Sequence, residues 1–267
     1  DPMMRRLIPA LVLLAACGGG PPPAPAPVPV APPPAPLPRA AEPRNYATLD
    51  TSFARLTIFL ATTRRSVASE RPGERYGPED ADSLQFAAIG VNVPSYRVRG
   101  TGDLPRPGSL RANALTYRPD PQRDFYVTST IPVDSNRFVQ RLGVALALSR
   151  ARDLLVFVHG YNVSFEDAAV RAAQVAADLN FDGSVVLFSW PSAASVTAYV
   201  RDQQSARNAG FQLLRLLKNH AVAAQPDRVH LLGHSMGSEV IGKAITLIAP
   251  GDSLLRLSEV VFAATDV

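Results

Sequence analysis

"VHLLGHSMGSEVIGKAI", Val229 to Ile245, begins as an apolar run and ends with apolar residues at helical spacing. At the junction Ser235 stands between Gly233 and Gly237. A strand that turns directly into a helix needs a very sharp bend, and a side chain at either flank would meet the packed helix or strand. The apex residue, Ser235, is therefore expected in a strained backbone conformation of the kind that costs ~1–3 kcal/mol. Its hydroxyl would point out of the carboxyl edge of a sheet. The N–H of Met236, at the start of the helix, would have no intrahelical acceptor and could donate to a developing oxyanion.

The neighbouring segments supply the sheet that this reading requires. "DLLVFVHG" (153–160) is a continuous apolar strand ended by Gly160, and "SVVLFSW" (184–190) is another, stopped by Pro191. "RVHLLG" and "LSEVVFAAT" (258–265 and the residue before) read as two more. Between them lie two helices. "SFEDAAVRAAQVAADL" can be capped by Ser164, carries Glu166 and Asp167 in its first turn, and lines up Ala168, Ala172, Val175, Ala176 and Leu179. "VRDQQSARNAGFQLLRLLKNH" is expected to bury Phe211, Leu214 and Leu217 or their neighbours. Strands apolar on both faces and separated by helices imply a parallel sheet covered on both sides. Further upstream, "RLTIFLATTR" (55–64) and "LQFAAIGVNVP" (84–94) read as strands, with a loop containing Pro72, Gly73 and Gly77 between them. "RPDPQRDFYVTST" reads as loop then strand, and "NRFVQRLGVALALSRA" as a helix with Phe138, Leu142, Val144 and Leu146 inward.

Gly-x-Ser-x-Gly at a strand–helix junction resembles the nucleophile elbow of α/β-hydrolases. "LLVFVHGYN" supports the resemblance, because such enzymes place a second oxyanion donor in the loop after the corresponding strand. The Tyr161 N–H is the expected donor, with Asn162 the alternative, and His159 is expected to brace the loop. The likeness is closer than the superfamily. "IFLATTRR", "VFVHGYNVSFEDA", "VVLFSWPS", "HLLGHSMGS" and "VVFAATDV" resemble, in order, the DUF900 family of bacterial α/β-hydrolases, from about Thr57 to the C-terminus. The resemblance implies an α/β-hydrolase fold, mostly parallel with helices on both faces, and a serine hydrolase of the esterase or lipase kind that needs no cofactor or metal.

Serine needs a base to take its proton, and the order in these enzymes is Ser, acid, His. The histidines are His159, His220, His230 and His234, and none follows Ser235. All four are read as structural, with His234 pointing inward. The base is expected beyond Val267, in a domain incomplete at its C-terminus. Asp266 is the candidate acid, with capping of the next loop as its other role; Asp202 and Asp182 precede the nucleophile and fit less well. Trp190 either lines the pocket or packs in the core, and residues 192–205 could form part of a cap.

Composition narrows the rest. The 267 residues are 46% hydrophobic and 19% charged with a net charge of +4, and the only lysines are Lys218 and Lys243. No basic block is interleaved with aromatics, which argues against nucleic acid as a partner. Gly100 opens "GTGDLP", read as a loop. Cys17 is the only cysteine, so no disulfide can form within the chain and no cysteine-rich zinc site exists. It ends "LLAAC" behind Arg5, Arg6 and a short apolar stretch, a pattern that resembles the lipobox of bacterial lipoproteins. Residues 1–17 are thus read as a lipoprotein signal peptide whose Cys17 becomes acylated and holds the protein to a membrane of the cell envelope. Gly18, where Asp is linked to inner-membrane retention, points to the outer membrane. Residues 18–43 alternate Pro and Ala, cannot build a core, and read as a disordered tether. Residues 44–267 are then the hydrolase domain. Two other outcomes fit the same residues: acyl transfer to an acceptor other than water, and a non-catalytic envelope lipoprotein that uses the fold for binding.

Overall fold

The computed structural model describes residues 53–95, 104, 119–193, 195–248 and 255–264. Cys17, the Pro/Ala-rich stretch, Gly100 and Asp266 lie outside the described residues. Everything described falls within one unit, Asn45–Val267.

The chain runs β1 (Phe53–Ser66), β2 (Tyr76–Pro94), β3 (Tyr126–Val133), α1 (Ser135–Leu148), β4 (Asp153–Val158), α2 (Phe165–Asp178), β5 (Gly183–Ser189), α3 (Tyr199–Leu216), β6 (Arg228–His234), α4 (Gly237–Thr246) and β7 (Leu257–Ala263). The strands form one mixed sheet in the order β3-β2-β1-β5-β4-β6-β7. β1 and β5 pair in parallel, as do β5 and β4, β4 and β6, and β6 and β7. β2 runs antiparallel to both its neighbours. This is the mostly parallel α/β architecture that the alternating apolar strands imply.

Alternate residues of the central strands feed two cores. Leu154, Val156, Val158, Val186 and Phe188 pack on one face with α1, α3 and α4. Leu155, Phe157, Val185 and Leu187 pack on the other with α2, whose alanines allow close approach. The Phe138, Leu142 and Leu146 side chains are each fully buried, worth about 1.5–3 kcal/mol apiece in transfer free energy. Ser164 caps α2 by accepting the Asp167 N–H at 3.1 Å.

Several local readings differ from the structure. Val144, Leu179 and Phe211 are exposed at 57%, 59% and 49%; α3 buries Leu213 and Leu216 rather than Phe211, and Leu217, just beyond it, is buried as the sequence implies. In each helix the apolar stripe is wider than the buried face, so spacing alone selects the wrong edge of it. Gly77 belongs to β2, because the β1–β2 hairpin extends beyond the apolar segment; only Pro72–Glu74 remains as a short 3-10 turn. Residues 195–205 enter α3 through a 3-10 turn at Val196–Ala198, with Asp202 and Ser205 buried, and the Tyr161 hydroxyl donates to the Ser195 carbonyl at 3.0 Å.

Candidate functional site

β6 and α4 meet at a turn in which Ser235 has φ = 50°. That left-handed conformation is costly for a residue with a Cβ. The flanking glycines explain how the turn closes. A Cβ on Gly237 would lie 2.5 Å from the Val158 carbonyl oxygen and 2.6 Å from that of His159; one on Gly233 would lie 3.0 Å from the Gly237 oxygen. The Ser235 N–H donates to the Ala263 carbonyl at 2.9 Å, which ties the apex to the end of β7. The side chain is half-buried, while that of Met236 is fully buried in the core.

The loop after β4 lies directly against this turn. A Cβ on Gly160 would be 2.9 Å from the Ser235 Cβ and 2.8 Å from the His234 oxygen, so only glycine lets the two segments touch. Asn162 then turns the loop through φ = 58°, a conformation that asparagine tolerates. Among the described residues, neither the Tyr161 N–H nor the Met236 N–H has an acceptor. The structure therefore brings together Ser235, Met236 and the Tyr161 loop.

His159 organises that loop. It is buried, and its Nδ1 lies 2.9 Å from the Gly160 carbonyl oxygen. The Trp190 N–H at 3.2 Å, the Arg64 guanidinium at 3.5 Å and the Ser189 hydroxyl at 3.2 Å converge on its Nε2. Nε2 therefore carries the lone pair and Nδ1 the proton. Burial, and then the Arg64 charge, push its pKa down to about 3, so the ring is neutral. The Gly160 carbonyl belongs to the same trans peptide as the Tyr161 N–H, and the two point in opposite directions. By holding the carbonyl, His159 sets the direction of the amide.

His220 and His230 sit apart from any such role. His220 packs on Phe86 and Phe138 and contacts the Ser135 hydroxyl at 3.0 Å. His230 lies between Asp153 and Glu259, 3.5 and 3.4 Å away. His234 is exposed rather than turned inward, and its Nδ1 lies 3.0 Å from where a Cβ on Gly160 would stand. Partial burial and then the Arg171 charge hold it below the usual range.

Trp190 belongs to the core: it is fully buried, stacks on the His159 ring at 5.1 Å, and donates its indole N–H to the His159 carbonyl at 2.8 Å. Asp182 accepts the Arg150 N–H at the opposite edge of the sheet. Asp202 is fully buried and accepts from the Ser192 hydroxyl at 2.7 Å and the Ala193 N–H at 3.0 Å. Sequence reasoning missed Arg64, which is 1% exposed.

A cavity of about 480 Å³ opens between Ser66–Glu70, Arg75, Tyr76 and Pro132, on the β1–β2 hairpin rather than at Ser235. The Ser235 environment is more persuasive as a site, because chemistry needs the oxygen and the amides together. Among the described residues there is no group of three or more His, Cys, Asp or Glu that could hold a metal. Among them, too, no helix is long and apolar enough to cross a membrane.

Comparison with known proteins bears on the C-terminal part of the chain. A family model described as "Alpha/beta hydrolase of unknown function (DUF900)" matches residues 135–267. The match begins at α1, so the "IFLATTRR" strand lies outside it. No curated protein and no solved structure matches.

Proposed function

We propose, from the premise that residues 135–267 belong to the DUF900 family of α/β-hydrolases, that this chain is a serine hydrolase acting on esters through an acyl-enzyme on Ser235. The observation that carries the reading is the strained Ser235, φ = 50°, with Gly160 seated against its Cβ. The Ser235 oxygen attacks the ester carbonyl carbon as a base removes its proton. The Tyr161 and Met236 N–H groups hold the resulting oxyanion. The intermediate collapses, the alcohol leaves with the proton, and water releases the acyl group by the same steps in reverse order.

His159 is buried as the brace of the loop and His220 and His230 lie away from Ser235, so we assign the base to a residue outside the described ones. Asp266 is assigned as the acid that orients it. Ala263, whose carbonyl accepts from Ser235, precedes Asp266 by three residues, within about 10 Å of extended chain. Acylation of Cys17 would hold the enzyme at the cell envelope. Cys17→Ser should shift the protein from the membrane to the soluble fraction; retention in the membrane would refute the anchor.

A fluorophosphonate probe should label the full-length protein, with the label mapped to Ser235 by peptide mass. Ser235→Ala should abolish it. An unlabelled wild-type protein sinks the proposal.

A further inference from the structure

Arg64 ends the apolar part of β1, yet its side chain turns inward. The β1–β2 register breaks on both sides of it, between Thr62 and Arg64 and between Arg64 and Ser66. Such irregularities re-aim side chains. The guanidinium has five N–H donors, and five acceptors surround it. Nε donates to the Ser189 hydroxyl at 2.9 Å. Nη1 donates to the carbonyls of Gly77 at 3.2 Å and Ser192 at 3.1 Å. Nη2 donates to the Val163 carbonyl at 2.7 Å and faces His159 Nε2 at 3.5 Å.

These partners come from strand ends, at Gly77 and Ser189, and from the loops carrying His159, Val163 and Ser192. Val163 is two residues beyond Tyr161, and both its backbone groups are held: its oxygen by Arg64 and its N–H by the Ser192 hydroxyl at 3.2 Å. The Ser192 hydroxyl in turn donates to the Asp202 carboxylate at 2.7 Å. The buried Asp202 carboxylate balances the buried cation through this intermediary. At the other end of the loop, Arg64 adds a donor at His159 Nε2 and so favours the proton on Nδ1, where it holds the Gly160 carbonyl. The loop carrying the Tyr161 amide is thus fixed on both sides by one side chain.

We infer that Arg64, with Ser192 as its relay, is a positioning residue that aims the Tyr161 amide at the oxygen of a Ser235 adduct. The inference rests on the proposed reaction for its consequence but not for its geometry. A planar fork is required, because a lysine in this place keeps the charge near Asp202 but reaches fewer of the five acceptors.

The test uses the full-length protein with Arg64→Lys and, as a second variant, Ser192→Ala. Amide hydrogen exchange over residues 159–164 should be about tenfold faster in both, with β4 and β6 unchanged. The first-order rate of fluorophosphonate labelling at saturation should fall ~10- to 100-fold, with the half-saturating concentration within about threefold of wild type. Unchanged exchange overturns the inference. So does faster exchange with an unaltered saturated rate, or a loss confined to half-saturation. If wild type is not labelled at all, the proposed reaction fails, and the exchange arm still decides whether Arg64 holds the loop.

Discussion

The two ends of the sheet use the same backbone device for different purposes. At the amino end, Arg152, Asn180, Gln225 and Arg256 have φ between 46° and 58°, each shortly before a strand. These are the left-handed turns with which helices and loops commonly stop. At the carboxyl end, Asn162, Ser235 and Ala264 have φ of 58°, 50° and 48°, just after a strand. Beside the first two, the N–H groups of Tyr161 and Met236 have no acceptor among the described residues. Charge is handled differently too. Arg152 and Arg256 each lie 3.7 Å from Asp227 at the surface of the amino end. Arg64 is buried and gives its donors mainly to backbone carbonyls. A positive φ alone therefore marks nothing; a positive φ beside free amides and a fully enclosed cation marks a candidate site.

The widest separation should come from relieving the strain at each end. Ser235→Gly and Gln225→Gly both replace a left-handed residue with one that adopts the conformation freely, and each should raise stability by about 1 kcal/mol in urea unfolding. Ser235→Gly should also erase fluorophosphonate labelling, by at least ~10³-fold, whereas Gln225→Gly should leave it intact. If Ser235→Gly is no more stable than wild type, the apex is not strained and the contrast fails.

Acid should expose the next difference. His159 has an ordinary pKa of 6.5 when unfolded and about 3 when folded. Between those values the unfolded chain holds a proton that the folded chain lacks, so stability is full above pH 6.5 and falls as pH drops toward 3. The slope is at most about 1.4 kcal/mol per pH unit for this residue. His220 and His234 are lowered as well and add in the same direction. His159→Gln should flatten the urea-stability profile between pH 6 and pH 4. An unchanged slope would mean that the ring is charged in the folded protein.

Two close approaches compare the ends in packing. Gly237→Ala would drive a methyl into the Val158 and His159 carbonyls, and Gly183→Ala into the Asp153 carbonyl and Phe181. Each should cost ~1–3 kcal/mol. Only Gly237→Ala displaces the residue that orients the Tyr161 amide, so only it should slow labelling of the folded protein. Equal slowing by Gly183→Ala would show that activity follows general stability.

How much of this the sequence disclosed depends on the range of the interaction. The bend at Ser235, the apolar runs of β4 to β6 and the Ser164 cap are local, set by a few consecutive residues, and were legible. The His159 brace was legible in outline, because Gly160 must lie close to something. Arg64 was not. Its partners are 13 to 128 residues away in sequence, and nothing in "TTRR" separates the buried Arg64 from the exposed Arg65. Trp190 was ambiguous for the same reason: an indole beside a site and one behind it read alike until His159 stacks on it. Asp202 was judged only by its order along the chain, which carries no information about a structural carboxylate.

The smallest effect belongs to the best-formed ion pair at the amino end. Arg228 holds Asp153 with two hydrogen bonds, at 2.9 and 2.6 Å. Geometry alone would rank it above Arg64, but the Arg228 side chain is 57% exposed. Water competes for the guanidinium, and salt screens it. Asp153, though 8% exposed, keeps His230 at 3.5 Å when Arg228 is removed. Arg228→Gln should therefore cost no more than about 1 kcal/mol in urea unfolding, and less in 1 M salt. Labelling at Ser235 should not change, because none of the Arg228 bonds reaches a loop of the carboxyl edge. A loss above about 3 kcal/mol would place this pair with buried ones. Burial would then no longer be what separates the two ends, and the case for Arg64 would have to stand on its loop contacts alone.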